Sequence, residues 1–387
     1  MTLTDKPPGA GGAKSASVRK RKRLTPRQRR FRRVVLAVLA TFLLWLTWSV
    51  GSALAAPGTD SVSARLAEWG RNHGLGVVVL SLEKLQYRMH PPAIGGAPAP
   101  GLLRAPATHS SRVHHSKSLR PLRPLRPFAH PGLRGEGTWR TLVTVHGRPA
   151  VQAAFLRPDA KHTSYLSGVV WMSHKLLSYH LHPGFAEPGG SWRVPDWIPP
   201  NQRRGLVATW NGAFKLADAR GGFYLDGKTA GALRPGAASE VFHRNGTMTL
   251  GSWGHEVRMA PDVVGVRQNL GMLIDHGKIA ANVDTSPQFS WGLTLGGAYF
   301  IYRSGVGVTR QGDPVYVSGN ALSANTLALI LKRAGCVRAM ELDINPAWVS
   351  FMSYRAGVPK SLMPDYKRPA NRYFTHTSRD FVAVYPR

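Results

Sequence analysis

The stretch AMELDINPAWVSF (residues 339–351) places Glu341 and Asp343 two positions apart at the end of an apolar run. Alternate residues of a strand face the same side, so a strand over 337–342 directs both carboxylates toward one face. Burying two carboxylates together is costly unless a cation or a shared proton accompanies them. The stretch therefore predicts an acid–base pair, a metal site, or ion pairs with Arg303 or Arg267.

A helix is predicted immediately before this strand. Ser323 is a suitable N-cap, and Gly335 follows the last helical residue. The intervening apolar residues recur at helical spacing, at positions 327, 330, 331 and 334. A strand–helix–strand order indicates a crossover unit, which places Asp343 at the carboxyl end of its second strand.

Hairpin signals surround this unit. Pairs such as Asp226-Gly227 and Asn245-Gly246 separate short apolar runs, which is typical of tight turns between antiparallel strands. Similar turns follow positions 145, 275 and 309. The sequence therefore predicts an α+β class, with a hairpin-rich mixed β-sheet, few helices and one N-terminal transmembrane helix.

That transmembrane helix is predicted over residues 34–56, which contain no charged residue in 23 positions. Residues 1–33 carry 12 basic residues and one acid, so this tail is expected in the cytoplasm and the main domain outside it. The small residues around Ala53 and Ala55 leave a cleaved signal peptide open as an alternative. We expect an uncleaved single-pass anchor in the cell membrane.

Three further segments follow from the composition. Residues 57–89 carry a helical pattern and are predicted as a juxtamembrane helix or helical hairpin. Residues 90–136 are rich in Pro, Arg and His and are predicted as an extended linker. Residues 137–387 then form the main domain.

The chain has 51 Lys plus Arg against 20 Asp plus Glu, a net charge of +31. Such an excess suggests anionic partners, but much of it lies in the tail and linker, and no nucleic-acid recognition motif accompanies it. We therefore expect no nucleic acid among the partners. The single cysteine, Cys336, is predicted in the core, and the sequence has neither a Walker loop nor a nucleophile elbow.

Two other segments contain candidate ligand-binding residues. Arg303-Ser304-Gly305 ends an apolar strand with a guanidinium, which suits phosphate, next to a glycine that allows close backbone approach. Asn211-Gly212 lies on a strand-to-loop turn, where an amide can orient a sugar. Each also has a structural alternative: a core ion pair for the arginine and a simple turn for Asn211. Trp348 is predicted either to stack under a sugar or to lie in the core.

Eight segments in chain order resemble the phosphodiester glycosidase family, which includes N-acetylglucosamine-1-phosphodiester α-N-acetylglucosaminidase. They are WNGAF (210–214), FYLDGK (223–228), VFHRNG (241–246), LGMLIDHGKI (270–279), RSGVGV (303–308), LKRAGC (331–336), AMELD (339–343) and SRDFVAV (378–384). The resemblance covers about residues 200–387. It implies hydrolysis of a sugar-1-phosphodiester.

In the reaction that the resemblance implies, Arg303 holds the phosphate, helped by backbone near Ser304 and Gly305. Asp343 or Glu341 directs water or stabilises an oxocarbenium-like transition state. Asn211 and Gly212, together with Asn345 and Trp348, would bind the sugar. The resemblance also suggests calcium, for which Asp343, Glu341 and Asn345 would supply oxygen ligands.

One departure from the family concerns the loop after the aspartate. The family pattern there is Asp-Gly-Gly-Gly-Ser, whereas this chain has Asp343-Ile-Asn-Pro-Ala-Trp. Pro346 and the bulky neighbours stiffen this loop. The sequence therefore predicts an extracytoplasmic hydrolase of sugar-1-phosphodiester linkages in an envelope or extracellular glycan. The alternative is a non-catalytic envelope protein of the same fold that binds anionic polysaccharide.

Overall fold

A computed structural model of the chain describes residues 25–99, 101–103, 122–283, 291–292 and 300–387. The chain divides into two compact units, Met1–Leu54 and Ala55–Arg387. In the first unit, helix α1 (Pro26–Leu54) is long and apolar enough to cross a membrane or act as a signal anchor. Most of the predicted basic tail, up to residue 24, lies outside the described residues.

The second unit begins with two helices, α2 (Val62–Asn72) and α3 (Gly76–Met89). Ser61 caps α2 by accepting a hydrogen bond from the Ala64 amide, 3.3 Å away. Both helices lie within the segment 57–89, where the sequence indicated a helix or a helical hairpin.

The strands described in this unit form three antiparallel sheets. The first has eight strands in the order β1-β2-β3-β14-β13-β15-β11-β12. Its strands are β1 (Arg140–Val145), β2 (Arg148–Leu156), β3 (Ser167–Met172), β11 (Ile274–Asp275), β12 (Lys278–Ile279), β13 (Ile301–Thr309), β14 (Pro314–Leu322) and β15 (Cys336–Glu341).

The other two sheets have five strands each, in the orders β7-β6-β10-β8-β9 and β17-β16-β5-β18-β4. The former contains β6 (Phe223–Leu225), β7 (Lys228–Ala230), β8 (Ala238–His243), β9 (Met248–Ser252) and β10 (Val263–Gln268). The latter contains β4 (Leu177–His182), β5 (Ala208–Asn211), β16 (Phe351–Arg355), β17 (Val358–Ser361) and β18 (Phe381–Pro386).

Helices are few among the described residues of this unit. After α3 they are α4 (Pro200–Arg203), α5 (Leu216–Ala219) and α6 (Ala324–Arg333), with a 3₁₀ turn at Arg372–Phe374. The predicted α+β class, with many hairpins and few helices, is confirmed.

The crossover predicted around α6 is also present. β14 and β15 each pair antiparallel with β13, so they run parallel to each other with β13 between them. Ser323 caps α6 as predicted, with its hydroxyl accepting from the Thr326 amide at 3.0 Å. Leu327 and Leu331 on the inner face of α6 are fully buried. This packing fixes β15 in the interior of the sheet, between β13 and β11, and Asp343 follows just beyond its end.

Part of the segment predicted as a linker packs on the domain. Leu125 is buried, and its amide bonds to the Gly137 carbonyl. Glu136 forms a buried ion pair with Arg157 at 2.9 Å. The composition did not predict these contacts, because single side chains in a Pro- and Arg-rich segment reach the core without forming a helical or strand pattern. Residue 100 and residues 104–121 of the predicted linker lie outside the described residues.

Candidate active site at the end of strand β15

Four of the segments that carry the resemblance meet at the carboxyl ends of β5 and β15, beside the first half of β13. Gly305 is opposite Glu341 in the β13–β15 ladder, and Asn211 is opposite Phe381 in the β5–β18 ladder. The carbonyl of Asp343 accepts a 2.6 Å hydrogen bond from the Ser304 hydroxyl. The tertiary structure therefore brings the WNGAF, RSGVGV, AMELD and SRDFVAV segments to one place.

Glu341 is locked in a buried ion pair with Arg303. The guanidinium also donates to the carbonyls of Leu322 and Trp291, each at 3.0 Å, and Arg303 is only 2% exposed. Burial raises the pKa of Glu341, and Arg303 opposes this shift. The phosphate-binding role predicted for Arg303 and the catalytic role predicted for Glu341 do not fit this environment, because each group is committed to the other.

Asn211 is the centre of a buried hydrogen-bond network. Its amide nitrogen donates to Ser304 Oγ at 3.1 Å and to the Gly212 carbonyl at 2.9 Å. Its oxygen accepts from the Tyr316 hydroxyl and the Ser350 amide. Two donor and two acceptor positions exhaust a side-chain amide, so Asn211 joins strands instead of orienting a sugar, as the sequence had suggested.

Gly212 and Gly305 are required for packing. A Cβ on Gly212 would lie 2.0 Å from an oxygen of Asp380, and the Gly212 amide donates to the Asp380 carbonyl at 2.9 Å. A Cβ on Gly305 would lie 3.0 Å from the Met340 carbonyl and 3.1 Å from Leu327. Gly305 therefore allows α6 to pack against the sheet. The prediction that a ligand approaches the backbone at Gly305 is not supported, because α6 covers this position.

Asp343 remains the strongest catalytic candidate of the predicted set. Its backbone is fixed by Ser304 and by a 3.2 Å bond from its amide to the Gly212 carbonyl. The Asp343 carboxylate accepts one hydrogen bond from the described residues, which the Asn345 amide donates at 2.9 Å. Burial, with the negative charge of Glu68 adding to it, raises the pKa of Asp343 to about 6, although Arg379 opposes the shift. A carboxyl group with such a pKa can exchange protons near neutral pH.

The loop after Asp343 is a rigid turn. The side-chain oxygen of Asn345 accepts a hydrogen bond from the Ala347 amide at 2.9 Å. This oxygen is the atom that was predicted to bind a sugar or a metal ion. Trp348 is 1% exposed and so cannot stack on a sugar; it belongs to the core. Three guanidinium groups surround its ring, with centroid distances of 4.6 Å for Arg368, 5.1 Å for Arg379 and 5.9 Å for Arg372.

The calcium ligands suggested by the sequence do not form a donor set. Glu341 is occupied by Arg303, and one oxygen each of Asp343 and Asn345 is used within the turn. A calcium ion requires six to eight oxygen ligands. These three residues therefore do not fit the ion, and no step is assigned to it.

Two cationic contacts to Glu68, which the sequence did not indicate, complete the site. Arg379 is 7% exposed, and its Nη2 binds Glu68 Oε1 of α2 at 3.0 Å. Lys215, next to α5, forms an ion pair with the other oxygen of Glu68. Burial raises the pKa of Glu68, but Arg379 and Lys215 outweigh it and hold that pKa below its ordinary value. The motif SRDFVAV contains Arg379 and was the available signal, although nothing in it marked this arginine.

A second buried ion pair joins Arg267 to Asp380, the residue that follows Arg379. Arg267 binds Asp380 with Nε–Oδ2 at 2.8 Å and Nη2–Oδ1 at 3.3 Å, and both side chains are almost fully buried. Glu240 is opposite Arg267 in the β8–β10 ladder. Burial and the charge of Asp380 raise the pKa of Glu240 to about 8, so it is mostly neutral at pH 7.

A cavity of about 680 Å³ lies elsewhere, between the first and second sheets. It is lined by Glu256, His276, Arg258, Arg310 and Arg338 among others, and by none of the residues predicted for the site. Glu256 and His276 also lie near Asp275, with His276 Nε2 to Glu256 Oε1 at 3.2 Å. An exposed group of this kind is common without a metal ion.

Comparison with known protein families gives no match, and no curated protein matches the chain. The solved structures that are similar to the chain include three of low identity. The catalytic domain of zebrafish N-acetylglucosamine-1-phosphodiester α-N-acetylglucosaminidase, auto-inhibited by its pro-peptide, is 14% identical, with a TM-score of 0.44, 65% of this chain and 88% of that chain covered.

The second is a hypothetical protein from Synechocystis, 13% identical, with a TM-score of 0.35 and 63% of each chain covered. The third, from Burkholderia pseudomallei K96243 and described as exported, is 11% identical, with a TM-score of 0.32 and coverages of 57% and 74%. These similarities concern the fold at a coarse level, so the function is derived from the site itself.

Proposed function

We propose that this chain is a membrane-anchored extracytoplasmic hydrolase that cleaves sugar-1-phosphodiester linkages in an envelope or extracellular glycan. The observation that carries the proposal is an occupied anion site beside a buried acid–base group. Arg379 and Lys215 together hold the carboxylate of Glu68, and the charges of Arg379 and Glu68 both act on Asp343. A phosphate of similar charge fits the position that the Glu68 carboxylate fills.

In the proposed reaction, Arg379 and Lys215 bind the phosphate group of the substrate. Ionised Asp343 accepts a proton from a water molecule, whose oxygen attacks the anomeric carbon. The bond from that carbon to the phosphate oxygen breaks, and its electron pair leaves with the phosphomonoester. Because this leaving group is stable as an anion, the two cations replace the strong acid that other glycosidases need.

The position outside the cytoplasm is proposed from helix α1 and its basic flank. Residues 1–33 carry 12 basic residues and one acid before the apolar segment. Basic flanks of this kind stay on the cytoplasmic side of a membrane. The remaining 333 residues of the second unit, Ala55–Arg387, would then face an extracytoplasmic glycan.

One observation favours the second candidate, a non-catalytic protein that binds anionic polysaccharide. The turn at Asp343–Asn345 is held by side-chain-to-backbone hydrogen bonds instead of a glycine-rich loop. The amides of Asn345 and Ala347 are bonded within this turn, whereas a glycine-rich loop would leave its amides open to a phosphate. Binding without turnover would favour this candidate.

The test is a sugar-release assay on the full chain in detergent, using a library of sugar-1-phosphodiesters with and without calcium. It should include the Glu68→Gln variant, in which the anion site is less firmly filled. We expect release from at least one library member, with a loss of about 10²–10⁴-fold in Asp343→Asn. Arg379→Gln should also lose activity, whereas Arg310→Gln on the surface should not.

Two results would contradict the proposal. One is no release from any library member by the wild type or by Glu68→Gln. The other is activity that persists in both Asp343→Asn and Arg379→Gln, since the site would then lie elsewhere.

A further inference from the structure

The segment that precedes and forms α2 binds the candidate site through two carboxylates. Asp60 lies just before the helix and Glu68 lies near its middle. The chain has only 20 acidic residues against 51 basic ones. Two acids of one short segment that both meet buried cations are therefore a specific arrangement.

Glu68 fills the first anion subsite, which is the Arg379–Lys215 site described above. Arg379 keeps two more nitrogens, Nε and Nη1, buried and without a hydrogen-bond partner among the described residues. Such donors are costly to leave unpaired. The subsite therefore offers more donors than a single carboxylate uses, and a phosphate has the additional oxygens to accept them.

Asp60 fills a second anion subsite. Arg368 Nη1 binds Asp60 Oδ1 at 2.9 Å, and the Ser378 hydroxyl donates to Asp60 Oδ2 at 2.7 Å. The side chain of Arg368 is 2% exposed, and its Nη2 also has no hydrogen-bond partner among the described residues. This subsite too is a buried cation with an unused donor.

Both subsites share one wall, because Arg368 and Arg379 lie against the ring of Trp348. Both guanidinium carbons lie within 5.1 Å of the centroid of that ring, so the two cations are no more than about 10 Å apart. A ligand that fills both subsites therefore carries two anionic groups at roughly that spacing.

The segment itself is weakly anchored by apolar contacts. The buried residues of α2 are Ala64 and Gly70, whereas Val62 and Leu66 are exposed. A helix of 11 residues is marginal by itself in water. Much of its attachment therefore comes from polar contacts with Arg368, Arg379 and Lys215, which an anionic ligand can take over.

We propose that Asp60 and Glu68 occupy two phosphate subsites of one groove, so that the preferred ligand is a glycan with at least two phosphodiester groups and α2 is displaced when it binds. The choice of phosphodiester as the anion rests on the proposed function. Ligand binds only those molecules in which the segment has left the groove. The apparent affinity for the ligand is therefore the intrinsic affinity multiplied by the fraction of such molecules.

The test measures the binding of two probes to the full chain in detergent. One is the methyl ester of a C-glycosidic N-acetylglucosamine phosphonate, with one charge; the other is its dimer, with two. Neither can be hydrolysed at the anomeric carbon. We expect the dimer to bind more tightly than the single-charge probe. Glu68→Gln and Asp60→Asn should each tighten both probes by about fivefold or more, because either change raises the fraction of molecules in which the segment is displaced. Asp226→Asn removes one charge from an exposed hairpin turn and serves as the matched control.

Hydrogen exchange of residues 62–72 provides a second readout. If α2 had only a structural role, it would stay packed on the domain when the probe binds, and its exchange would not change. Saturating dimer should speed amide exchange there in the wild type. The inference fails if exchange is unchanged at saturation, or if the charge variants bind both probes like Asp226→Asn. If the binding pattern holds but no library member is hydrolysed, the subsites stand and the proposed hydrolase activity fails.

Discussion

At the residue scale, burial separates the acidic groups by role. Asp343 and Glu240 both have raised pKa values, but Asp343 lies beside the cations that face α2, whereas Glu240 lies within the sheet next to Arg267. Sequence position was enough to select Asp343, since a carboxylate at the end of a buried strand is unusual. Sequence position did not identify Glu240 as a buried acid, because the alternation of apolar and polar residues in a strand does not show which side chains pack around it.

Glu240 should make the stability of the protein depend on pH. Its pKa is raised by burial from 4.5 to about 8, so the stability associated with its neutral form is present below pH 4.5 and is lost as the pH rises through 8. One proton corresponds to a slope of about 1.4 kcal/mol per pH unit at most. Glu240→Gln should therefore flatten the fall in melting temperature between pH 5 and pH 8.

The control for this measurement is Asp226→Asn, an exposed substitution with the same charge change. Its melting curve should follow the wild type across the range. Parallel pH profiles for the wild type and Glu240→Gln would show that Glu240 is not the buried neutral group described here.

At the element scale, β13 and β15 are tied together by an ion pair that the sequence left ambiguous. The pattern offered Arg303 either to phosphate or to a core carboxylate. The register that places Gly305 opposite Glu341 settles this in favour of the carboxylate. Such a choice depends on the pairing of distant strands, which local periodicity does not report.

Replacing Arg303 should therefore impair folding before it impairs chemistry. Arg303→Met leaves Glu341 and two carbonyls buried without a partner, which should cost about 3–5 kcal/mol. The double variant Arg303→Met/Glu341→Leu should recover much of this loss, because no unpaired charge remains. Melting temperature is the readout, with exposed Arg310→Met as the control. A single variant that melts like the wild type but is inactive would restore the catalytic role of Arg303.

At the scale of the whole molecule, the expected topology can be tested with cysteine labelling because the one native cysteine is buried. Cysteines are introduced singly at Ser15, in the basic tail, and at Asp226, in an exposed hairpin turn. A membrane-impermeant maleimide on intact expression-host cells should label Asp226→Cys at once. It should label Ser15→Cys only after lysis.

The unsubstituted chain provides the background for this experiment, since Cys336 is 3% exposed and its thiol pKa is raised far above its usual value by burial. Labelling of Ser15→Cys in intact cells would reverse the proposed orientation.

The sequence by itself determined the α+β class, the apolar helix α1, the capped helix α6 and the position of Asp343. These features depend on periodicity, turn residues and caps, which are local along the chain. Only the tertiary structure decided the partners of the charged groups: Arg303 with Glu341, Arg267 with Asp380, and Glu68 with Arg379 and Lys215. Those pairings join residues 38, 113 and 311 positions apart. Burial and charge at such separations are set by the packing of the whole chain, and for this reason the anion site was found in the fold and not in the motif.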